Sequence, residues 1–339
     1  MILRDIKVLD FTRLLPGPLA TAWLVQAGAS VLKIEDKNRP DGIRAFSSGM
    51  FENAHLFEAL NAGKELWNQY SLEELAQSED FLNRLADADV LIEQFKPGLM
   101  EKKGLGYEAL KAINPRLIYV SLSGFGSQRP EPAHDINFVA EAGLLSLNRD
   151  ASGKPVIPEF QLGDVSGSYA CYIAVLEGII ERSKTGMGCF KDVSMTAAVM
   201  PFATLAFRFA EGGIPKVGAY LAGSIPNYNV YRCADGNYVA LGALEFHLWK
   251  NLCAALEMPE NLLPAFNNPG MVGDVQAFFE TKDSAYWLNA SKGKNTCLSA
   301  VCHPGDAVYL QLHQEQLYEV SVSDEKTIRV LNGPFGHRP

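Results

Sequence analysis

Two successive strand–loop–helix–strand segments within the first 125 residues restrict this chain more than any other feature. Residues 6–11 (IKVLDF) form an apolar run of strand length, the PGP at 16–18 breaks it, and LATAWLVQAG carries helical periodicity up to Gly28. SVLKIE then reads as a second strand. The pattern returns: DADVLIEQF is strand-like, KPGLMEKKGLGYEALKAINP holds a loop and a helix ended near Pro115, and RLIYVSLSGFG is another strand. Such units close as parallel crossovers, so two of them predict a doubly wound α/β domain. The first loop reads LLPGPLAT and lacks G-x-G-x-x-G, which argues against a nicotinamide enzyme.

After about residue 200 the texture changes. YNVYRCADGNYVALGAL places Asp235-Gly236 between alternating apolar runs, a strong hairpin signal. A chain of 339 residues is long enough for two domains. The expected organisation is a large domain over 1–200 and 305–339 and a smaller α+β domain over 215–300. Composition is that of a globular protein, with 47% apolar and 20% charged residues. A net charge of −9 disfavours a non-specific nucleic-acid surface, so an anionic ligand must rely on a local basic patch. No stretch of about 18 uncharged apolar residues exists, and MILRDIKVLDFTRLLPG has charges in its apolar run and no small-residue cleavage site. The expectation is a cytoplasmic protein that does not enter a membrane, with an organelle lumen as the alternative. Six scattered cysteines read as reduced thiols. Cys297, Cys302 and His303 are neighbours, but no second CxxC-like pair completes a zinc site, so no metal is expected.

The chemistry-bearing pair is His134, in AHDIN, and Asp164, thirty residues on in LGDVSGSYACYIAVLEGIIERSKTG. Each stands beside a turn or helix start, and two proton-exchanging groups of different type suit removal and return of a proton at carbon. Each also has an ordinary reading. Asp164 precedes Val165, Ser166 and Gly167, with Tyr169, Ile173, Leu176 and Ile180 at helical spacing, as an N-cap would. The two readings conflict, because a carboxylate that accepts backbone N–H bonds becomes a poorer base. His134 alone is an ordinary loop histidine, with Asp135 as its partner or as a turn residue.

The segments VLDFTRLLPGPLATAWLVQAGASVLKIE, DADVLIEQFKPGLMEKKGLGYEALKAINPRLIYVSLSGFG, HDINF, GDVSGSYA and YRCADGNYVALGALE together resemble the family III CoA transferases, including the alpha-methylacyl-CoA racemase branch. The resemblance covers residues 1 to roughly 255 in several separated motifs. It implies an interlocked homodimer of two-domain chains, each with a Rossmann-like large domain. It also implies an active site between the large domain of one chain and the small domain of the other, a CoA thioester as substrate, and no cofactor beyond that CoA. In the transferase branch the aspartate matching Asp164 is a nucleophile. In the racemase branch it is a base, joined by a histidine in an HDIN segment and a glutamate after the small-domain hairpin, here His134 and Glu245. The presence of all three favours the racemase branch. A CoA transferase is the alternative, and a silent acyl-CoA-binding protein is a third reading.

The chemistry expected of that branch follows from the thioester. The hydrogen on its α carbon is weakly acidic because the carbanion delocalises into a planar enolate, so inversion needs one group on each face, the places of His134 and Asp164. Glu245 would hold the far ring nitrogen of His134; alone it reads as a solvated surface group. The start of the Asp164 helix also offers backbone N–H groups to the enolate oxygen. For the CoA phosphates the candidates are Arg13, Lys37, Arg39, Lys96 and Lys102. Gln94 and Phe95 would face the adenine or pantetheine, presented by the Pro97-Gly98 turn. Two departures stand out: Asp36 follows KIE where the family often carries a basic residue, and NAGKELWNQYSLEE replaces an aliphatic strand.

Overall fold

The computed structural model describes residues 1–46, 54–150, 152–213, 220–323 and 326–335. Its central element is a six-stranded sheet in the order β3-β2-β1-β4-β5-β6, formed by β1 (Lys7–Phe11), β2 (Ser30–Ile34), β3 (Glu65–Trp67), β4 (Val90–Glu93), β5 (Ile118–Ser123) and β6 (Phe190–Ser194). Every neighbouring pair is parallel. The crossovers are helical: α1 (Pro16–Gln26) joins β1 to β2, and α2 (Ile43–Phe46) and α3 (Leu56–Asn61) precede β3. Then α4 (Leu72–Leu75) and α5 (Glu79–Ala86) precede β4, and α6 (Leu99–Lys102) and α7 (Tyr107–Ile113) precede β5. Finally α8 (Asp135–Glu141) and α9 (Leu162–Thr185) lead to β6.

The period of two in the strands divides the core. Val8, Val90, Ile92 and Val120 pack with Trp23, Leu24, Cys171, Tyr172 and Val175 on the α1/α9 face. Leu9, Phe11, Leu91 and Tyr119 pack with Leu72, Phe81, Leu85 and Leu110 on the other. Buried on both faces, the central strands read as continuous apolar runs. This is the strand order of the Rossmann fold, and the order reverses between β1 and β4. The loops after those two strands therefore diverge and leave a crevice at the carboxyl edge.

Three local expectations are refined. KELWNQ still supplies a strand: β3 pairs with β2 through Leu32↔Glu65 and Ile34↔Trp67. In α9 the apolar stripe singled out by spacing is mostly not the buried one: Leu176 is half-buried against the core, but Tyr169, Ile173 and Ile180 are exposed, whereas Ser168, Cys171, Tyr172, Val175 and Gly178 face the core. Small residues win that face because α9 lies close on the sheet, where a Cβ at Gly178 would come within 2.5 Å of the Ile118 side chain. The chain's return also falls later than residue 305. It comes through β10 (Leu317–Ser323) and β11 (Lys326–Leu331), with the Tyr318 hydroxyl bound to the Gln26 amide and Phe335 stacked on Tyr172 at 4.4 Å.

The chain divides into two compact units, Met1–Ala203 with Glu315–Pro339, and Thr204–Gln314. Residues 305–314 thus group with the smaller unit, because long-range packing on α1 and α9, which leaves no local pattern, sets the return. Residue 215, where the smaller domain was expected to begin, lies outside the described residues. The smaller unit holds an antiparallel sheet, β7 (Tyr228–Arg232), β8 (Tyr238–Gly242) and β9 (Leu298–Ala300), with the Asp235-Gly236 turn between β7 and β8. Its core gathers Tyr231, Trp249, Phe279 and Trp287, with Tyr231 stacked on Phe279 at 4.9 Å. Among the described residues no helix is long and apolar enough to cross a membrane.

Candidate active site

The crevice at the strand-order reversal is a cleft of about 310 Å³. Its walls come from the loop after β1 (Leu14), the start of α1 (Pro16), the loop after β4 (Gln94, Phe95, Lys96, Pro97), the end of β5 with the loop beyond (Ser123, Gly124, Arg129 to Ala133), and then His134, Phe138, Asp164 and Met195. Residues far apart in sequence meet here because each follows a parallel strand or opens the helix after it. His134 and Asp164 thus line one cleft.

His134 occupies the N-cap position of α8, with extended backbone (φ −129°, ψ 176°). Its N–H donates to Asn137 Oδ1 at 3.1 Å, which fixes the backbone that carries the imidazole. Asp164 is not the cap of α9. Gln161 holds that position without a side-chain bond, and Asp164 is the third helical residue. Its own amide is capped from outside the helix, donating to Asp135 Oδ1 at 3.0 Å. Burial first, then the charge of Asp135, push the Asp164 carboxyl up to about 6. Asp164 is therefore not the helix cap, and its carboxyl holds a proton better than an ordinary aspartate does.

The loop after β1 is held by a buried ionic network that sequence reasoning missed. Asp10 accepts from Thr12, Thr21 and Lys64, and Lys33 bridges the Thr12 carbonyl and Asp41. Asp41 Oδ1 accepts the N–H of Leu14, a non-glycine residue at φ 63°. Burial pushes the Asp10 carboxyl up, but Lys64 and Lys33 outweigh it and hold it at about 2. Burial brings Lys64 down to about 8, against the pull of Asp10. The available signal was a lysine inside the apolar strand SVLKIE, where a solvated side chain has no room. Glu93, at the end of β4, was also missed: burial pushes it up to about 7 although Ser121 and the Phe95 N–H oppose this.

The other expected residues divide. Lys96 and Phe95 line the cleft, and Arg13 lies on the Phe95 ring at 4.9 Å. Gln94 lines it too, but its side chain is engaged, accepting the Gly17 N–H at 3.1 Å. Lys37 is exposed and paired with Glu74 at 2.6 Å; Arg39 and Lys102 are exposed, and none of the three lines the cleft. Glu245 belongs to the smaller unit, where it is exposed at the N-cap of the helix Phe246–Ala255 and makes no capping bond. Three cysteines, Cys171, Cys189 and Cys233, are buried, and Cys297 is exposed.

A Rossmann-type domain with polar groups converging at its switch point, joined to a small α+β unit, defines an enzyme of the CoA-transferase and racemase class once the comparisons are added. The sequence profile of CoA-transferase family III matches residues 3–338, and the chain belongs to that family. The chain is 30% identical over 329 residues to the alpha-methylacyl-CoA racemase of Mus musculus, covering 93% of this chain and 82% of that protein. It is also 30% identical over 298 residues to an acetyl-CoA:oxalate CoA-transferase of Acetobacter aceti, covering 83% and 76%. Among solved structures, Rv3272 from M. tuberculosis superposes with a TM-score of 0.81 at 25% identity, over 98% of this chain and 92% of that one.

Proposed function

We propose that this chain inverts the α carbon of a 2-methylacyl-CoA thioester by two-base 1,1-proton transfer. The carrying observation is that His134 and Asp164 line the same cleft while Asp164 is raised to about 6. A carboxylate of that basicity is mostly ionised at neutral pH yet holds a proton far better than an ordinary aspartate. On this reading the groups flank the planar enolate, and one takes the proton that the other replaces. The electron sink is the thioester carbonyl of the substrate itself. Arg13 and Lys96 are the basic groups proposed to meet the CoA phosphates. Glu245, supplied within a homodimer, is proposed to steady the His134 ring.

A second reading, CoA transfer between carboxylic acids with Asp164 attacking the thioester, draws support from the transferases that are as similar to this chain as the racemase. Incubation with one enantiomer of a 2-methylacyl-CoA in deuterated water separates the two. The racemase reading expects α-deuterium and loss of optical purity without any carboxylate acceptor. No exchange, with turnover only when a second carboxylate is present and a hydroxylamine-trappable acyl group on Asp164, would overturn it.

A further inference from the structure

The carboxylate of Asp135 spans the two halves of the proposed proton-transfer pair. It directly follows His134 in the chain, at the first residue of α8, and its Oδ1 accepts the backbone N–H of Asp164 at 3.0 Å. The gap across which this bond forms is kept open by Gly163, where a Cβ would lie 3.2 Å from Asp135 Oδ1 and 3.1 Å from the Phe138 Cβ. Nothing within α9 offers a substitute, because Gln161 makes no side-chain cap. We infer that Asp135 is a positioning residue that fixes Asp164 relative to His134 and, by its negative charge, keeps Asp164 basic.

The inference deepens the racemase proposal and rests on it for its catalytic consequence, whereas its electrostatic half rests on the 3.0 Å bond that holds the Asp135 carboxylate against the Asp164 backbone. A second carboxylate on the atom next to the Asp164 Cα disfavours ionisation of the first. Burial raises Asp164 further, and Asp135 adds to it. The other titratable side chains that line the cleft are Lys96 from the loop after β4, Arg129 and Glu131 from the loop after β5, and His134. Arg129 is taken up by Glu141 at 2.7 Å and Glu131 at 3.6 Å. Of the elements packed on α9, α1, β5 and the helix Met195–Val199 carry no Asp, Glu, Lys or Arg; α8 carries Glu141, paired with Arg129, besides Asp135, and β6 carries Lys191, paired with Glu181, and Asp192, which accepts the Ser127 N–H. Asp135 is therefore the anion bonded to the Asp164 backbone.

Two substitutions separate charge from geometry. Asp135→Asn keeps an amide oxygen for the Asp164 N–H and removes the charge, whereas Asp135→Glu keeps the charge and displaces the acceptor. The first readout is the titration of the Asp164 carboxyl in the full chain, followed by ¹³C NMR on aspartate-labelled protein, with Asp164→Asn to assign the signal. In Asp135→Asn the midpoint is expected to fall by roughly half a pH unit or more, and in Asp135→Glu to stay raised. The second readout is the pH profile of α-proton exchange. Its acid limb is expected to move down with the midpoint in Asp135→Asn, while Asp135→Glu loses roughly tenfold or more in kcat with little change in KM. An Asp164 midpoint in Asp135→Asn equal to that of the parent overturns the inference; should that variant not fold, a midpoint in Asp135→Glu that drops to the ordinary aspartate range does so. An absence of exchange in the parent protein, with the midpoint still shifting in Asp135→Asn, sinks the racemase proposal and leaves the electrostatic coupling standing.

Discussion

At the scale of single residues, the chemistry depends on how burial divides the carboxyls near the cleft. Asp10 is held ionised by two buried lysines, whereas at Asp164 and Glu93 burial prevails and the carboxyls are raised. For a two-base mechanism, Asp164→Asn is expected to lose 10²–10⁴-fold in racemisation yet still exchange the α-hydrogen of the enantiomer that presents it to His134. His134→Gln should show the opposite enantiomer preference, which ¹H NMR of each pure enantiomer in deuterated buffer will read. Glu93 gives a stability prediction. Its folded pKa, about 7, lies above the ordinary 4.5, so its contribution is full below 4.5 and is lost as pH rises through 7. Glu93→Gln mimics the protonated form and can keep the bond from the Phe95 N–H. Relative to the parent it should gain on the order of 1–3 kcal/mol on going from pH 4.5 to pH 8, measured by urea denaturation at both pH values.

At the scale of elements, the loop after β1 shows how one wall of the cleft is held by ion pairs buried behind it. Leu14 and Pro16 line the cleft, and Leu14 keeps a left-handed backbone because Asp41 takes its N–H. Asp41 is in turn neutralised by Lys33 at 3.1 Å, both side chains being fully buried. Lys64→Met would leave Asp10 in the core without its hydrogen-bonded lysine, a change that typically costs about 3–5 kcal/mol. A lowered urea midpoint with unchanged m-value is the expected signature. Gly17, in the first turn of α1, has no room for a side chain, since a Cβ would lie 2.2 Å from Thr12 Cβ. Gly17→Ala is therefore expected to displace the loop and raise the KM for the thioester more than it lowers kcat. Equal kinetics for Gly17→Ala and the parent would show that this loop does not shape the binding site.

At the scale of the whole molecule, the exposed apolar residues bear on the proposed homodimer. Ile173 and Ile180 on α9 are half exposed, and Phe202, Leu205 and Phe207, just before and within the helix Thr204–Glu211, are exposed by 59% or more. Exposed apolar side chains of this size are the surface that the proposed homodimer would cover. Sedimentation equilibrium should give twice the 37.1 kDa chain mass, and Phe207→Glu with Leu205→Glu should shift it toward the monomer. The alternation of strands and helices up to residue 125 and the Asp235-Gly236 hairpin were legible in the sequence, because each is written in contiguous or short-period patterns, and His134 and Asp164, singled out by residue type, do line one cleft. Three things were not: which stripe of α9 is buried, the fate of Lys33 and Lys64, and the acceptor for the Asp164 amide. Each depends on what stands opposite a residue across the fold: Ile118 beneath Gly178, Asp10 beside Lys64, and Asp135 against the first turn of α9. Residue order alone determined the βα rhythm and the titratable side chains available to the cleft, since both follow from local sterics and side-chain chemistry. Only the tertiary structure decided that the Asp164 carboxyl is raised and does not cap its helix, because its pKa depends on burial and on a neighbouring carboxylate that lies twenty-nine positions away in the chain.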